Sequence, residues 1–543
     1  MTEREYRNYI DRYVAERRDE IIGTLLDLLR IPSVGSEGTV GAPFGPEVDR
    51  ALRFVTDKAS AFGLDVKNVD GYAVHSETGS GSEVVMALTH VDVVPVGSGW
   101  TRNPLGEVAD GKVFGRGAQD NKGPTVACLY ALKALKESGI PLRRRVRHVV
   151  GGNEESGFRC VRHYFEVEPL PKYGFSPDAC FPLVYAEKGT MNVRVRALLR
   201  KDTRSGAEKC RVLCLLEEIA GGEAANMVPD RARAVLRMSP GAEREQGLVL
   251  QRLKEGVSKV AEVIGGPGPL VFEFSQEPGR IVILASGKAC HASVPWEGTN
   301  AVAALLHLIG SLGPIVQNHA AIRFMADAAD IYGRGFDIQC EDDITGKLSC
   351  NLGVAGTEEL GDVGGGAAES RPRESAPESS AREGHPDPHS TGRGISPGSG
   401  ASSGGDGSNG GGGELRRVWA IYNIRYPVRV SGDLLKSRVL AVQRPEGVEV
   451  EVVGLGKPHY TDPNSFLVQT LLRIYREESG DQSPPITIGG GTYAKVIPGG
   501  VAYGPVRPGT LETAHQPDEH IFIDDLLFLV KVYSRALLAL ANG

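Results

Sequence analysis

Short apolar runs alternate with longer segments of helical periodicity along much of the chain, and this alternation limits the fold more than any other sequence feature. Residues 84–88 are a short run with β-branched residues, typical of a buried strand, and residues 146–150 read as the next strand. Residues 124–138 have apolar positions at helical spacing, a proline in the first turn and Gly139 at the end. Residues 523–541 read as a second long helix. Alternating buried strands and helices predict an α/β fold with helices on both faces of a sheet.

The length of 543 residues indicates at least two domains. One stretch, residues 364–413, differs from the rest: 30 of its 50 residues are Gly, Ser or Pro, and Ile395 is its only large apolar side chain. Such a composition cannot offset the entropy lost when a backbone becomes ordered. We therefore predict a disordered insertion at 364–413.

Charge and cysteine usage exclude several classes of protein. With 61 Lys and Arg against 68 Asp and Glu, the net charge is −7. Because no long basic stripe is present either, we expect no binding to nucleic acid or to membranes. No apolar run reaches the roughly 18 residues of a transmembrane helix, and the charged N-terminus does not resemble a signal peptide. The eight Cys are scattered without a Cys-x-x-Cys pair, which favours unpaired thiols in the cytoplasm.

Three polar clusters follow predicted strands or occupy a Gly-rich connection. His90 and Asp92 come after the first strand, and Glu154 and Glu155 come after the second. Asp120 lies in a Gly-rich loop that leads into the helix between them. Ligands of open α/β sheets collect at the carboxyl ends of strands. Each cluster also has a purely structural interpretation: a buried histidine with an ordinary aspartate, a solvated turn, and a helix N-cap.

Asp178 and His515 extend this set of polar residues. Asp178 lies in an apolar segment, and His515 shortly precedes the last helix. Together with His90, Asp120 and Glu155 they offer two imidazoles and three carboxylates, which suit Zn, Mn or Co better than a thiolate site does. Five ligands with one shared carboxylate would hold two metal ions about 3.5–4 Å apart, the spacing used for hydrolysis.

The same segments resemble the aminoacylase/carboxypeptidase/dipeptidase family of co-catalytic metallopeptidases, in particular its dipeptidase V branch (Xaa-His dipeptidase, carnosinase-like). The likeness runs nearly end to end, apart from the low-complexity insertion. The matching segments are residues 90–95, 99–100, 114–117, 120–124, 154–157, 175–178, 187–189, 226–229, 287–291, 298–301, 423–427, 489–494 and 515–519.

This resemblance implies a role for each ligand. Asp120 bridges two divalent metal ions, for which Zn is expected and Mn or Co are alternatives. His90 and Asp178 hold one ion, and Glu155 and His515 hold the other. Bridging ions lower the pKa of a shared water towards about 7, so that a bridging hydroxide is available at neutral pH.

Further roles follow from the resemblance for residues outside the ligand set. Glu154 is the implied general base, and Asp92 is the partner that orients His90. His291 is expected to hydrogen-bond the oxyanion when a lid domain closes, although a histidine in its context is often a core residue. Arg425 would clamp the substrate carboxylate, with a strand-surface ion pair as the alternative. The implied substrate-binding residues are Asn226, Arg425, Gly490 and Gly491.

The implied fold class is α/β: a mixed-sheet catalytic domain flanked by helices, with an inserted α+β lid of doubled ferredoxin-like type. The catalytic domain takes residues 1–188 and 457–543, and the lid takes 189–456, including the insertion at 364–413. Relatives with a shorter lid dimerise and borrow the oxyanion histidine from the partner subunit. A doubled lid can supply that histidine within one chain, so we predict a monomer.

Three positions depart from the pattern of the branch. Asn121 stands where a second Asp is common, which would make the metal site less negative. Ala292 follows His291 where Gly is usual, and Lys495 replaces a common Arg, keeping the charge but not the planar fork. None of these changes removes a ligand or the base.

The predicted function is a dinuclear metal-dependent dipeptidase that cleaves small peptides with a free N-terminus. One alternative is an N-acyl-amino-acid amidohydrolase on the same scaffold, which would reject a free ammonium group. A second alternative is a non-catalytic metal-binding protein, which the intact set of ligands and base disfavours.

Overall fold

The structure, a computed structural model, describes residues 1–199, 212–360 and 415–543. The insertion predicted at 364–413 lies outside the described residues. Within them, no helix combines the length and the apolar composition that crossing a membrane requires.

The described residues contain eleven α-helices. They are α1 (Glu3–Glu16), α2 (Arg18–Leu29), α3 (Pro46–Ala61), α4 (Lys122–Ser138), α5 (Arg159–Val167), α6 (Gln246–Ile264), α7 (Ala301–Gly310), α8 (His319–Asp327), α9 (Gly432–Ala441), α10 (Phe466–Ser479) and α11 (Ile523–Asn542).

The same residues contain 24 strands, several of them only two residues long. They are β1 (Asp65–Val69), β2 (Ala73–Thr78), β3 (Val84–His90), β4 (Glu107–Ala109), β5 (Lys112–Phe114), β6 (Arg145–Gly151), β7 (Tyr173–Ser176), β8 (Ala179–Cys180), β9 (Val184–Glu187), β10 (Gly189–Leu199), β11 (Cys214–Gly221), β12 (Arg231–Met238), β13 (Val271–Glu277), β14 (Arg280–Ser286), β15 (Glu341–Asp342), β16 (Gly346–Lys347), β17 (Ser349–Leu360), β18 (Leu415–Tyr426), β19 (Val448–Gly456), β20 (His459–Tyr460), β21 (Ile486–Ile488), β22 (Val501–Ala502), β23 (Pro505–Val506) and β24 (His520–Phe522).

The first large sheet is mixed and carries the predicted strands. Its order is β1-β2-β6-β3-β7-β22-β9-β20, with β21 added beside β9. The central strands β6, β3, β7 and β22 run parallel, whereas β1 and β2 are antiparallel additions at one edge. Strand β3 is fully buried, as its apolar sequence requires, and α4 and α11 pack against it.

The second large sheet is antiparallel throughout, in the order β13-β14-β12-β11-β17-β18-β10-β19. Helices α6, α7, α8 and α9 pack against it and enclose a core separate from that of the first sheet. Burial alternates along β10, as expected for a sheet with one covered face.

The two large sheets use separate parts of the chain, and the mixed α/β class predicted from the sequence is confirmed. Strands of the second sheet lie between residues 189 and 456, and those of the first lie on either side. The domain boundaries at 188 and 457 stay a prediction.

Element bounds differ slightly from the expectations. Strand β3 extends two residues further than residue 88, so that His90 is its last residue and pairs with Gly151. Helix α4 begins at Lys122 instead of residue 124, because Pro124 is accommodated in the first turn, where no intrahelical N–H bond is lost. Helix α11 continues one residue past 541.

Candidate metal centre

The parallel pairing of β3 with β6 places the first two polar clusters side by side. His90 and Gly151 are paired at the ends of these strands, so the loops that follow them run next to each other. The Asp92 carboxylate accepts the backbone N–H groups of Glu154 and Glu155, each at 3.1 Å. Asp92 therefore fixes the backbone of both glutamates.

His90 is completely buried and has a defined orientation. Its Nδ1 lies 3.0 Å from the backbone carbonyl of Asp92 and 3.4 Å from the carboxylate of the same residue. Because a carbonyl oxygen only accepts, Nδ1 carries the proton and Nε2 is left to bind a metal. Asp92 thus contacts His90 chiefly through its main chain, while its carboxylate bonds to the glutamate loop, and its orienting role stays a prediction.

Asp120 lies between the two histidines of the predicted ligand set. One carboxylate oxygen is 3.0 Å from His90 Nε2, and the other is 3.1 Å from His515 Nε2. His515 Nε2 is also 3.0 Å from Glu155 Oε1, and His90 Nε2 is 3.8 Å from Asp178 Oδ1. The five predicted ligands therefore converge in one place.

Ligand atoms form two groups whose members lie within 4.8 Å of one another: His90, Glu154 and Asp178 in one, and Asp120, Glu155 and His515 in the other. Glu154 is thus as close to the first group as a ligand would be. This position suits either a ligand or a base beside the metal, and the assignment of Glu154 as the base stays a prediction.

Crowding of carboxylates gives the cluster unusual pKa values. Burial and the charge of Asp120 raise the pKa of Asp178 to about 7. Burial raises the pKa of Glu154 well above its usual value, with a further contribution from Asp178, and burial and Asp120 raise that of Glu155.

The pKa values of both histidines are raised, although burial alone would lower them. Burial would lower the pKa of His515, but its bonds to Asp120 and Glu155 raise it to about 11. The pKa of His90 is likewise raised well above its usual value by the carboxylates around it, against the effect of burial. A site with this excess of negative charge fits divalent cations, and its mixed nitrogen and oxygen donors suit Zn, Mn or Co.

Two residues that the sequence analysis did not single out hold the Asp120 loop in place. The buried Glu519 carboxylate accepts the backbone N–H groups of Gly117, Gln119 and Asp120 at 3.0–3.1 Å and pairs with Arg116 at 2.6 Å. Gln119 Oε1 accepts the N–H groups of Thr513 and Ala514, directly before His515. The only sequence signal was the position of Glu519 in a matching segment.

Asn121 has a structural role that its sequence position did not reveal. It occupies the N-cap of α4, but its side chain makes no capping bond. Its Nδ2 instead donates to Pro177 O at 2.6 Å and to Asp178 Oδ1 at 3.1 Å. The N-cap interpretation of this cluster was therefore wrong for the side chain, and the amide serves to orient Asp178.

His291 lies in the loop between β14 and α7, bridged to Met227. Its Nδ1 accepts the backbone N–H of Ser293 at 3.2 Å, so in the neutral ring the proton is on Nε2. Burial lowers the pKa of His291 to about 4, with additional effects from Arg425 and His515. The ring is thus neutral at pH 7.

The glycine loop and Arg425 meet at the second sheet. The Arg425 side chain is buried; Nε donates to Asn423 Oδ1 at 2.8 Å and Nη1 to Gly489 O at 3.2 Å. The ion-pair alternative for Arg425 is not what these contacts show. A Cβ at Gly489 would lie 2.4 Å from Ser293 Cβ, so this close approach requires glycine.

The remaining predicted residues lie around this contact. Asn226 is exposed, and its carbonyl accepts the N–H of the buried Ala292 at 2.8 Å. Lys495 Nζ donates to Lys188 O at 2.8 Å and lies close to Gly491. Among the described residues, Ile488 alone lies near the place that a Cβ of Gly490 would take.

A mixed α/β fold in which histidines and carboxylates converge beside the sheet is typical of metal-dependent hydrolases. Residues 86–539 match Peptidase family M20/M25/M40, and the chain belongs to this family. It is therefore a metallopeptidase of dipeptidase-like type, a class that implies divalent metal ions and a small peptide substrate.

One curated relative and two solved structures are similar to this chain. A Bacillus subtilis (strain 168) protein named "Putative dipeptidase YtjP" is 34% identical over 534 residues, covering 97% of this chain and 99% of its own length. Human carnosine dipeptidase 1 has a similar fold, with a TM-score of 0.52 at 15% identity over 98% of this chain and 99% of that chain. The dipeptidase Dug1p of Saccharomyces cerevisiae has a TM-score of 0.51 at 14% identity, with 98% of each chain covered.

Proposed function

We propose that the chain is a dipeptidase that uses two divalent cations to hydrolyse the peptide bond of dipeptides with a free N-terminus. The proposal rests chiefly on Asp120, whose two carboxylate oxygens face His90 Nε2 at 3.0 Å and His515 Nε2 at 3.1 Å. A carboxylate shared between two ligand groups is suited to bridging two cations. His90 and Asp178 would hold one cation, and Glu155 and His515 the other.

Two bound cations would supply Lewis acidity and a water of lowered pKa for attack on the scissile carbonyl. Glu154 would take the proton of the attacking water and pass it to the leaving amine. Its raised pKa, caused first by burial and then by Asp178, supports this role, and Asp92 holds its backbone in position.

Arg425 in β18, two loops of the second sheet and the glycine loop after β21 would complete the site. The Nε2–H of His291 would donate to the developing oxyanion, and the Arg425 guanidinium would pair with the C-terminal carboxylate of the substrate. Asn226, Gly490 and Gly491 would border the bound peptide, with the glycines allowing close backbone approach.

Enzyme stripped with a chelator and reloaded with Zn, Mn or Co is expected to hydrolyse dipeptides and to leave N-acetyl-amino acids nearly untouched. Chelation should abolish turnover, because no described residue replaces the Lewis acid. The measurement is product formation on a dipeptide panel for each metal, with Zn proposed as the native ion. Cleavage of N-acetyl-amino acids alone would mean a deacylase, and no turnover of either class would mean a non-catalytic metal-binding protein.

The protein is expected to run as a monomer of 57.9 kDa. The supporting observation is that a Cβ at Gly489 would lie 2.4 Å from Ser293 Cβ, so the loop that carries His291 meets the glycine loop within a single chain, and a partner subunit would not be needed to supply the oxyanion donor. Size-exclusion chromatography with light scattering measures the mass. A stable species of twice this mass would contradict the prediction.

We also propose a cytoplasmic location. Seven cysteines in the described part of the chain are free thiols, and none is joined in a disulfide. Reduced thiols are typical of a reducing compartment.

A further inference from the structure

The His291 ring is held by the residue two positions further along the chain. Its Nδ1 lies 2.7 Å from the Ser293 hydroxyl oxygen and 3.2 Å from the backbone nitrogen of Ser293. A backbone N–H can only donate, so Nδ1 is an acceptor and carries no proton. The Ser293 hydroxyl must then donate to Nδ1 as well. Ser293 therefore directs two donors at one nitrogen of the ring.

These two contacts decide where the imidazole carries its proton. Burial lowers the pKa of His291 to about 4, so at pH 7 the ring is neutral and only one of its nitrogens is protonated. Donation to Nδ1 places that proton on Nε2. Among the described residues no group hydrogen-bonds to Nε2, and the side chain is only partly buried.

Direct contacts connect Ser293 to the candidate metal centre. Ser293 lies against Gly489, where a Cβ would come within 2.4 Å of its own. Four residues after Gly489, the completely buried Tyr493 ring meets the His90 ring edge-on, with the ring centroids 6.0 Å apart. The loop that carries His291 is thus in contact with the glycine loop, whose far end packs on a proposed metal ligand.

The backbone beside the His291 ring is fixed as well. The N–H of Ala292 donates to Asn226 O at 2.8 Å, and the carbonyl of Ala292 accepts the buried Ser349 hydroxyl at 3.3 Å. The backbone therefore sets where the His291 ring lies, and the Ser293 hydroxyl sets how the ring is turned and which nitrogen is protonated.

We propose that Ser293 is a positioning residue that holds His291 with its proton on Nε2, oriented to donate to the developing oxyanion. This inference rests on the proposed function, in which His291 stabilises the oxyanion. The opposite tautomer would present the lone pair of Nε2 to the oxyanion and repel it. Ser293 acts through the ring and is not expected to touch the substrate.

The kinetic test removes the hydroxyl and keeps the backbone donor. Ser293→Ala is expected to lower kcat for alanyl-leucine about 3- to 10-fold and to change KM by less than about twofold, because the lost hydrogen bond supports the transition state. Ser293→Cys, with a thiol that is a weak donor, should recover part of the loss. In a His291→Ala background, Ser293→Ala should change kcat by less than about twofold, because the ring it positions is gone.

A second measurement reports the tautomer itself. Selective ¹⁵N labelling of the histidines in the Zn-loaded full chain shows by NMR which ring nitrogen is protonated, and the signals missing from His291→Ala identify His291. In the unaltered protein Nε2 should carry the proton, and in Ser293→Ala the Nδ1–H form should become detectable. Ser311→Ala makes the same change beyond the last residue of α7 and should alter neither kcat nor the His291 signals.

Three results would overturn the inference: an equal loss of kcat with and without His291, an unaltered protein with the His291 proton on Nδ1, or His291 signals that Ser293→Ala leaves unchanged. Failure of the proposed function looks different. In that case the unaltered enzyme does not cleave dipeptides, or His291→Ala alone leaves kcat unchanged, and the NMR spectra still decide whether Ser293 holds the ring.

Discussion

We expect that replacing Glu154 by Gln lowers kcat by about 10²- to 10⁴-fold and leaves two divalent cations bound per chain, because on the proposed assignment the substitution removes a general base and not a ligand. The glutamine keeps the shape of the side chain, and the backbone N–H of residue 154 still donates to Asp92 Oδ1. Steady-state kinetics on a dipeptide, together with metal analysis of the same desalted sample, measures both quantities.

The neighbouring glutamate provides the matched control. Glu155 Oε1 lies 3.0 Å from His515 Nε2, and its backbone is held by the same Asp92 carboxylate. Glu155→Gln should therefore weaken binding of one cation, and activity should return as the metal concentration is raised. If instead Glu154→Gln loses metal and Glu155→Gln keeps both ions, the proposed roles are exchanged: Glu154 is the ligand and Glu155 is the base.

Local sequence was sufficient to place His90 and the two glutamates. Strand β3 is a fully buried strand of apolar residues, and it pairs in parallel with β6. Parallel strands end at the same edge of a sheet. The pairing of His90 with Gly151 follows from this rule, and it brings Glu154 and Glu155 beside Asp92. The α/β class was predictable for the same reason.

Contacts between distant parts of the chain could not be read from local patterns. His515 reaches Asp120 because β24 pairs with β5, some 400 residues earlier. The sequence near either strand contains no periodicity that predicts this pairing. The roles of Glu519 and Gln119 depend on the same contact. Their side chains bond to backbone groups whose proximity only the folded chain creates.

The departure at Asn121 shows a further limit of sequence comparison. An Asp is common at this position in the dipeptidase branch, which suggested that Asn makes the metal site less negative. In the structure the Asn121 amide donates to Pro177 O and to Asp178 Oδ1. An ionised carboxylate has no proton to donate. Asn121 therefore differs from an Asp in two ways: it lacks the negative charge, and it donates two directed hydrogen bonds.

Replacing Asp120 by Ala is expected to abolish turnover and to remove both cations on desalting. Asp120 faces His90 with one oxygen and His515 with the other, so, as the proposed bridge, it would be lost to both cations. Outer partners that merely orient ligands already cost about 10- to 100-fold in metal affinity when they are removed, and loss of a shared ligand should exceed that range. Metal analysis after desalting and circular dichroism of the same sample distinguish loss of metal from loss of fold.

A graded series makes the bridging assignment sharper, because Glu519 orients the Asp120 loop without touching the histidines. Glu519→Gln keeps one acceptor oxygen but loses the charge that faces Arg116 at 2.6 Å, so metal affinity should fall by about 10- to 100-fold and recover with added metal. Asp120→Ala should not recover at any metal concentration. If Asp120→Ala instead retained one tightly bound cation per chain, Asp120 would be a terminal ligand of a single ion, and the two halves of the cluster would bind metal independently.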